Sequence, residues 1–160
     1  MNPYQKLMEK IVATRLGAHV ALRIATPIDR HLLRFSGGRI SSGLGTDFGK
    51  NLCLLTCRGA KTGKLRSVPL LHTRLGDDVV LVASKGASEV LPAWYHNLKK
   101  NPDCEIEIRG QCTKRRAREA LGAERDRLFD KAVSTYAGYA VHQDRIHRPI
   151  PVMVLERVNG

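Results

Sequence analysis

Aromatic side chains are scarce, 5% of 160 residues with a single tryptophan, and no recognised RNA- or DNA-binding motif accompanies them. A groove that tracks nucleic acid by stacking bases is poorly supplied here, so no nucleic-acid partner is expected. Acidic residues are also short: 15 stand against 27 lysines and arginines, a net charge of +12. Such an excess asks for an anionic partner, which leaves an acidic small molecule or an anionic membrane face. Close-set cysteine pairs are missing. The four cysteines fall at positions 53, 57, 104 and 112, a spacing that excludes zinc knuckles and thioredoxin-like sites. On one strand Cys53 and Cys57 would stand about 13 Å apart, beyond the reach of a disulfide. Free thiols in a reducing compartment follow. No long uncharged apolar run exists and the charged N-terminus has no secretory core, so the expectation is a cytoplasmic protein without a transmembrane helix.

What is present is concentrated between Asn51 and Asn101. The apolar run Asn51-Leu-Cys-Leu-Leu-Thr-Cys57 breaks at Arg58-Gly-Ala-Lys-Thr-Gly-Lys64 and resumes at Val68-Pro-Leu-Leu-His-Thr73. This reads as a hairpin whose glycines supply positive φ angles. Its turn gathers Arg58, Lys61, Lys64 and Arg66 beside bare backbone amides, which either hold a phosphate or carboxylate or stand as a solvated basic tip. It is not a nucleotide-triphosphate loop. Only three residues separate Gly59 from Gly63, and Leu65 replaces the hydroxyl residue that such a loop needs after its lysine.

Along the chain, Leu7, Ile11, Met8, Val12 and Leu16 recur at helical spacing among lysines and arginines, a basic amphipathic helix suited to docking or to an anionic bilayer. Thr26-Pro-Ile-Asp29 opens a second helix that stops at Ser36-Gly37-Gly38. After the hairpin, Leu75 to Asp78 is a turn and Val79 to Ala83 a buried strand, left at Ser84-Lys-Gly-Ala-Ser88. That strand end brings a hydroxyl, an ammonium and backbone amides together, as a ligand loop or a plain surface turn. Pro92 to Leu98 is a short helix closed by Asn101-Pro102, and Trp94 with Tyr95 either stacks on a planar cofactor or fills the core. Cys104 to Arg109 alternates as a strand, and Cys112 to Glu119 returns as its partner, expected at a solvated sheet edge because of its cations. Gly122 to Val133 is a surface helix, and Ile150 to Leu155 a strand whose proline suggests an edge or a strand start.

Four of these segments, Leu54 to Leu70, Val82 to Ala87, Pro92 to Leu98 and Ile150 to Glu156, resemble in order and register the deazaflavin-dependent nitroreductase family, whose members use coenzyme F420. The match runs from about Gly37 to Glu156, dividing the chain into an N-terminal helical arm, 1–36, and a cofactor-binding domain, 37–160. The resemblance implies an α+β fold, a split β-barrel like that of FMN-binding proteins with flanking helices. It implies an oxidoreductase in which the reduced deazaflavin gives a hydride to a quinone, a nitroaromatic or another activated alkene. Lys61, Thr62, Gly63 and Arg66 would hold the anionic phospholactyl and glutamate tail, and Ser84, Lys85, Gly86 and Ala87 the phosphate and chromophore side. Pro69, Leu70 and Leu71 would line the deazaflavin pocket, Trp94 would shape its wall, and Tyr136 and Tyr139 would cover the acceptor. FMN or another flavin is the alternative cofactor, and a cofactor-free basic module that binds a membrane or nucleic acid is the alternative of a different class. Departures are Ala60 where the family commonly has arginine, Ala137 for proline after the first tyrosine, and His142 for a third tyrosine.

The chemistry agrees with the absence of any triad, carboxylate pair or metal cluster in the sequence, because the cofactor carries the hydride chemistry and the protein binds, orients and excludes water. The acceptor needs a proton, which Tyr136, Tyr139, His142 or solvent would supply, and Ser84 would hydrogen-bond the developing anion. A lipophilic quinone, with the basic helix in residues 1–24, suggests peripheral attachment to the inner face of the cell membrane.

Overall fold

The computed structural model of the chain describes residues 51–158. The expected helical arm, the membrane-facing stretch 1–24 within it and the domain boundary at Gly37 lie outside the described residues.

The first apolar run forms β1 (Leu52–Arg58), and the chain returns as β2 (Leu65–Leu71), in register from Leu52 opposite Leu71 to Arg58 opposite Leu65. β2 begins before the expected Val68, because the ladder continues to the base of the turn. β3 (Thr73–Leu75) and β4 (Asp78–Val82) form a second hairpin across Gly76, whose φ is +60°. α1 (Ala93–Lys100) starts at Pro92, where a missing N–H costs nothing, and ends at Asn101. β5 (Asp103–Ile108) and β6 (Gln111–Ala120) are joined by Arg109 and Gly110 at φ 52° and 79°, the type I′ pattern whose twist suits a two-residue hairpin. α2 (Gly122–Thr135), the short α3 (Gly138–Asp144) and β7 (Val152–Arg157) complete the described chain.

The seven strands among the described residues belong to one antiparallel sheet in the order β2-β1-β5-β6-β7-β4-β3. The two edge strands, β2 and β3, are separated in sequence by His72 alone. Six strand spacings would put the edges of a flat sheet about 29 Å apart, which one residue cannot span. The sheet therefore curls until its edges meet, giving the barrel with flanking helices expected from the sequence. Pro69 is tolerated because β2 is an edge.

Two placements differ from expectation. β6 is the middle strand rather than an edge, and β7 lies between β6 and β4, with Pro151 just before its start. The cations of β6 misled because only one of its faces is wet. Arg115 and Ala117 point inward and are buried, while Lys114, Arg116 and Arg118 are exposed, and Arg118 joins Glu124 and Glu156 at 2.8 and 2.6 Å.

Period-two alternation divides the apolar residues between two layers. Inside the barrel, Cys53, Leu55, Val79, Leu81, Ile106, Met153 and Leu155 pack with Trp94 and Leu98 of α1. On the outer face of β4 and β7, Val80, Val82, Val152 and Val154 meet Leu128, Phe129 and Ala132, one stripe of α2, together with Tyr136 and Tyr139. β4 and β7 are thus apolar on both faces, which is why their sequences run unbroken. Truncating a fully buried side chain such as Leu128 to alanine would cost about 2–5 kcal/mol.

Candidate active site

The ladder register carries the basic hairpin and the Ser84 loop to the same end of the barrel. Cys57 pairs with Cys104, Asp103 with Arg116, and Ala120 with Val152, which pairs in turn with Val82. The end of β1 beyond Cys57, the start of β5 and the end of β4 therefore share one rim.

On that rim the hairpin turn is closed by Gly59 N–H donating to the Lys64 carbonyl at 2.8 Å and Gly63 N–H to the Gly59 carbonyl at 2.9 Å. Gly63 has φ +67°, and a Cβ at Gly59 would stand 2.9 Å from Thr62 Oγ1 and 3.3 Å from the Lys64 carbonyl, so a side chain is disfavoured at both positions. Arg58 is spent on the turn, its guanidinium donating to the Gly63 carbonyl at 2.7 Å. Lys61, Thr62, Lys64 and Arg66 are exposed. Among the described residues no carboxylate pairs with Lys61, Lys64, Arg66 or Lys85.

The segment after β4 is unusual in its backbone. Lys85, Gly86 and Ala87 have φ of 45°, 64° and 63°, three left-handed residues in succession, two of them not glycine. Each non-glycine residue there costs about 1–2 kcal/mol. The amides of these three residues donate no hydrogen bond among the described residues, although Ala87 is buried, as is Ser84. A row of free amides beside an ammonium can serve as an anion-binding concavity.

α1 holds the hairpin turn. Asn97 Oδ1 accepts from the Ala60 amide at 2.9 Å, and Asn101 Nδ2 donates to the Arg58 carbonyl at 3.3 Å. Trp94, in the first turn of α1, is buried in the barrel core, so it anchors the helix to the barrel. Asn101 was read from the sequence only as the helix stop, and Asn97 was not singled out, since its contact joins positions 37 residues apart.

The other expected residues lie on the outer layer. Tyr136, Tyr139 and His142 form an edge-to-face group, with ring centroids 5.1 Å apart for the tyrosines and 6.1 and 6.3 Å from each to His142. Burial pushes the Tyr139 phenol well above its usual range, and the neighbouring Tyr136 and Cys53 add to that. His142 is 5% exposed, and neither ring nitrogen has a partner among the described residues. Burial, then the charge of Arg145, lowers its pKa, so it is neutral at pH 7. Of the β2 residues, Leu70 packs toward the interior and Leu71 toward the layer holding the tyrosines, so β2 borders both.

A family model described as F420H(2)-dependent quinone reductase matches residues 28–157. The chain belongs to that family. An F420H(2)-dependent quinone reductase of Mycobacterium tuberculosis is 41% identical to it over 107 residues, 65% of this chain and 72% of that one. A solved F420-H2 dependent reductase is similar at 38% identity, covering 67% of this chain and 95% of that structure, with a TM-score of 0.64. The heme protein HutZ of Vibrio cholerae, 9% identical with a TM-score of 0.52 over 69% of this chain and 84% of that one, shares the fold alone. Membership in the F420H(2)-dependent quinone reductase family makes this an oxidoreductase, and the donor set fits the group implied by the family's name. An acidic tail needs unpaired cations and free amides, and both stand on one rim.

Proposed function

We propose that the protein is an F420H2-dependent reductase that delivers a hydride to a quinone, with nitroaromatics and other activated alkenes as further acceptors. The observation that carries this reading is the convergence of Lys61, Lys64, Arg66 and Lys85, none paired with a carboxylate among the described residues, with the left-handed turn at Lys85–Ala87. When bound, reduced F420 supplies the hydride.

Lys61, Thr62, Gly63 and Arg66 hold the anionic tail, and the amides of Lys85, Gly86 and Ala87 hold its phosphate. Pro69, Leu70 and Leu71 exclude water along β2, and Trp94 keeps α1, and through Asn97 the hairpin turn, at a fixed distance from the Ser84 loop. Ser84 donates to the oxygen on which negative charge develops. Tyr139 and His142 act as neutral donors: the raised phenol keeps its proton on Oη, and the lowered imidazole keeps one on a ring nitrogen. Both donate hydrogen bonds to the acceptor oxygen as charge develops on it, and solvent supplies the proton that completes the reduction, because full transfer from either would leave an anion in an apolar pocket. Tyr136 packs against both and closes the group.

The reading also carries a cytoplasmic location with peripheral membrane contact through residues 1–24. No helix among the described residues is long and apolar enough to cross a membrane.

Titration with F420 and, in parallel, FMN, followed by fluorescence of the single tryptophan, tests the cofactor assignment. Saturable binding of F420 with turnover of a quinone is expected. Preference for FMN would replace the cofactor, and binding of neither would overturn the reading.

A further inference from the structure

We infer that Arg148 is a positioning residue for the Ser84–Ala87 turn and couples it to the helix that carries Tyr139 and His142. The functional part of this inference rests on the cofactor site proposed above; the structural part stands on hydrogen bonds alone.

Arg148 Nε donates to the Glu89 carbonyl at 3.1 Å, and Nη2 to the Ser88 carbonyl at 3.1 Å. One planar guanidinium thus grips two successive carbonyls just after the left-handed turn, a geometry that a lysine ammonium cannot reproduce. The adjacent His147 amide donates to the Glu89 carboxylate at 3.1 Å. On the other side of the turn, the Ala83 amide donates to the Pro151 carbonyl at 2.9 Å. Segment 147–151 therefore clamps the turn at both ends.

That segment is itself fastened to α3. Gln143 Nε2 donates to the Arg148 carbonyl at 2.9 Å, and Gln143 Oε1 accepts from the Ile150 amide at 2.8 Å and from Arg125 Nη2 at 2.7 Å. Arg125 Nε also donates to the Ile150 carbonyl at 3.0 Å, and its guanidinium lies 4.4 Å over the Phe129 ring. Gln143 directly follows His142, so backbone and hydrogen bonds together link the acceptor side of the site, through Arg148, to the Ser88 and Glu89 carbonyls at the end of the turn. Left-handed Lys85 and Ala87 persist only if their surroundings hold them there. Arg148 provides that hold through its two bonds to the carbonyls that follow the turn.

The test compares wild type, Arg148→Met and Arg148→Lys by amide hydrogen exchange without cofactor, by F420 titration and by thermal unfolding. Methionine keeps the length of the stem and removes the donors. In Arg148→Met, the hydrogen-bonded amides that frame the turn, those of Ala83, Val90 and His147, should exchange about tenfold faster, as expected for the loss of a charged donor, with the hairpin at 59–64 unchanged. F420 affinity should fall by a similar factor with little change in melting temperature, and Arg148→Lys should recover part of both effects. Unchanged exchange at these three amides, or faster exchange spread equally over the hairpin, would overturn the positioning role, as would an unchanged F420 affinity. A wild-type protein that binds no F420 would instead overturn the proposed function, and localised exchange would then decide the clamp by itself.

Discussion

The ring of Tyr136 folds back over Gly138, where an added Cβ would fall among the ring atoms Cζ, Oη and Cε1. Two residues of one turn are thereby matched, since the tyrosine can lie flat across the start of α3 only because the second position carries no side chain. Gly138→Ala should displace the ring and loosen its edge contact with Tyr139. A destabilisation of about 1–3 kcal/mol is expected from such overpacking. In steady-state kinetics the quinone KM should rise while the F420 affinity, set at the hairpin rim, stays near that of wild type.

Asn97 offers a way to separate the hydrogen bond from the charge at the hairpin. Asn97→Ala leaves the Ala60 amide without its partner and should cost about 1–2 kcal/mol, read as a lower urea midpoint. Asn97→Asp keeps the acceptor for that amide and sets a carboxylate beside Lys61 and Lys64. Stability should then be largely retained, whereas F420 binding weakens, most strongly at low salt where the new charge is least screened.

The buried histidines predict an acid-sensitive fold. His72 and His142 are held below the ordinary value of 6.5, in both cases chiefly by burial. For His72 a hydrogen bond with the Asn51 backbone opposes the shift, and the charges of Arg74 and Arg109 add to it. The unfolded chain takes up protons as the pH falls below 6.5, whereas the folded chain resists until lower pH. Their stabilising effect is therefore complete above 6.5 and is lost as pH falls through the folded values, by up to about 1.4 kcal/mol per pH unit for each histidine. Urea midpoints followed from neutral pH downward should fall for wild type and fall less for His142→Leu.

Thiol titration should distinguish one cysteine from three. Cys53, Cys57 and Cys104 are buried, and Cys112 is exposed on β6. Burial raises the Cys53 and Cys57 thiols and brings Cys104 to about 12. A disulfide reagent at mildly alkaline pH should consume one thiol quickly in the folded protein and all four after denaturation. Fast reaction of more than one would contradict the packing of the barrel interior.

The elements were legible in the sequence where a pattern is local. The apolar run of β1, the glycines of its turn and the proline that opens α1 each state their structure within a few residues. The strand order was not, because a residue such as Lys114 looks the same on an edge as on the wet face of a central strand. The candidate site divides in the same way. Lys61, Gly63 and Ser84 to Ala87 were found through motif resemblance, but the three consecutive left-handed residues include Lys85 and Ala87, which carry no local signal for such angles. Asn97, Gln143 and Arg148 act through contacts with distant segments, and neither composition nor spacing marks them.

β7, the last strand of the sheet in chain order, is inserted between β6 and β4 rather than added at a rim. During synthesis both neighbours must therefore wait with open hydrogen-bonding sides, and every residue of the intervening helices is made before the gap can close. The hairpin β1–β2 that bears the cation turn is complete early, but the barrel that gives it a fixed partner across the rim is not. Nascent chains stalled before Val152 are the species from which edge-to-edge association would start, and chaperone dependence would concentrate there.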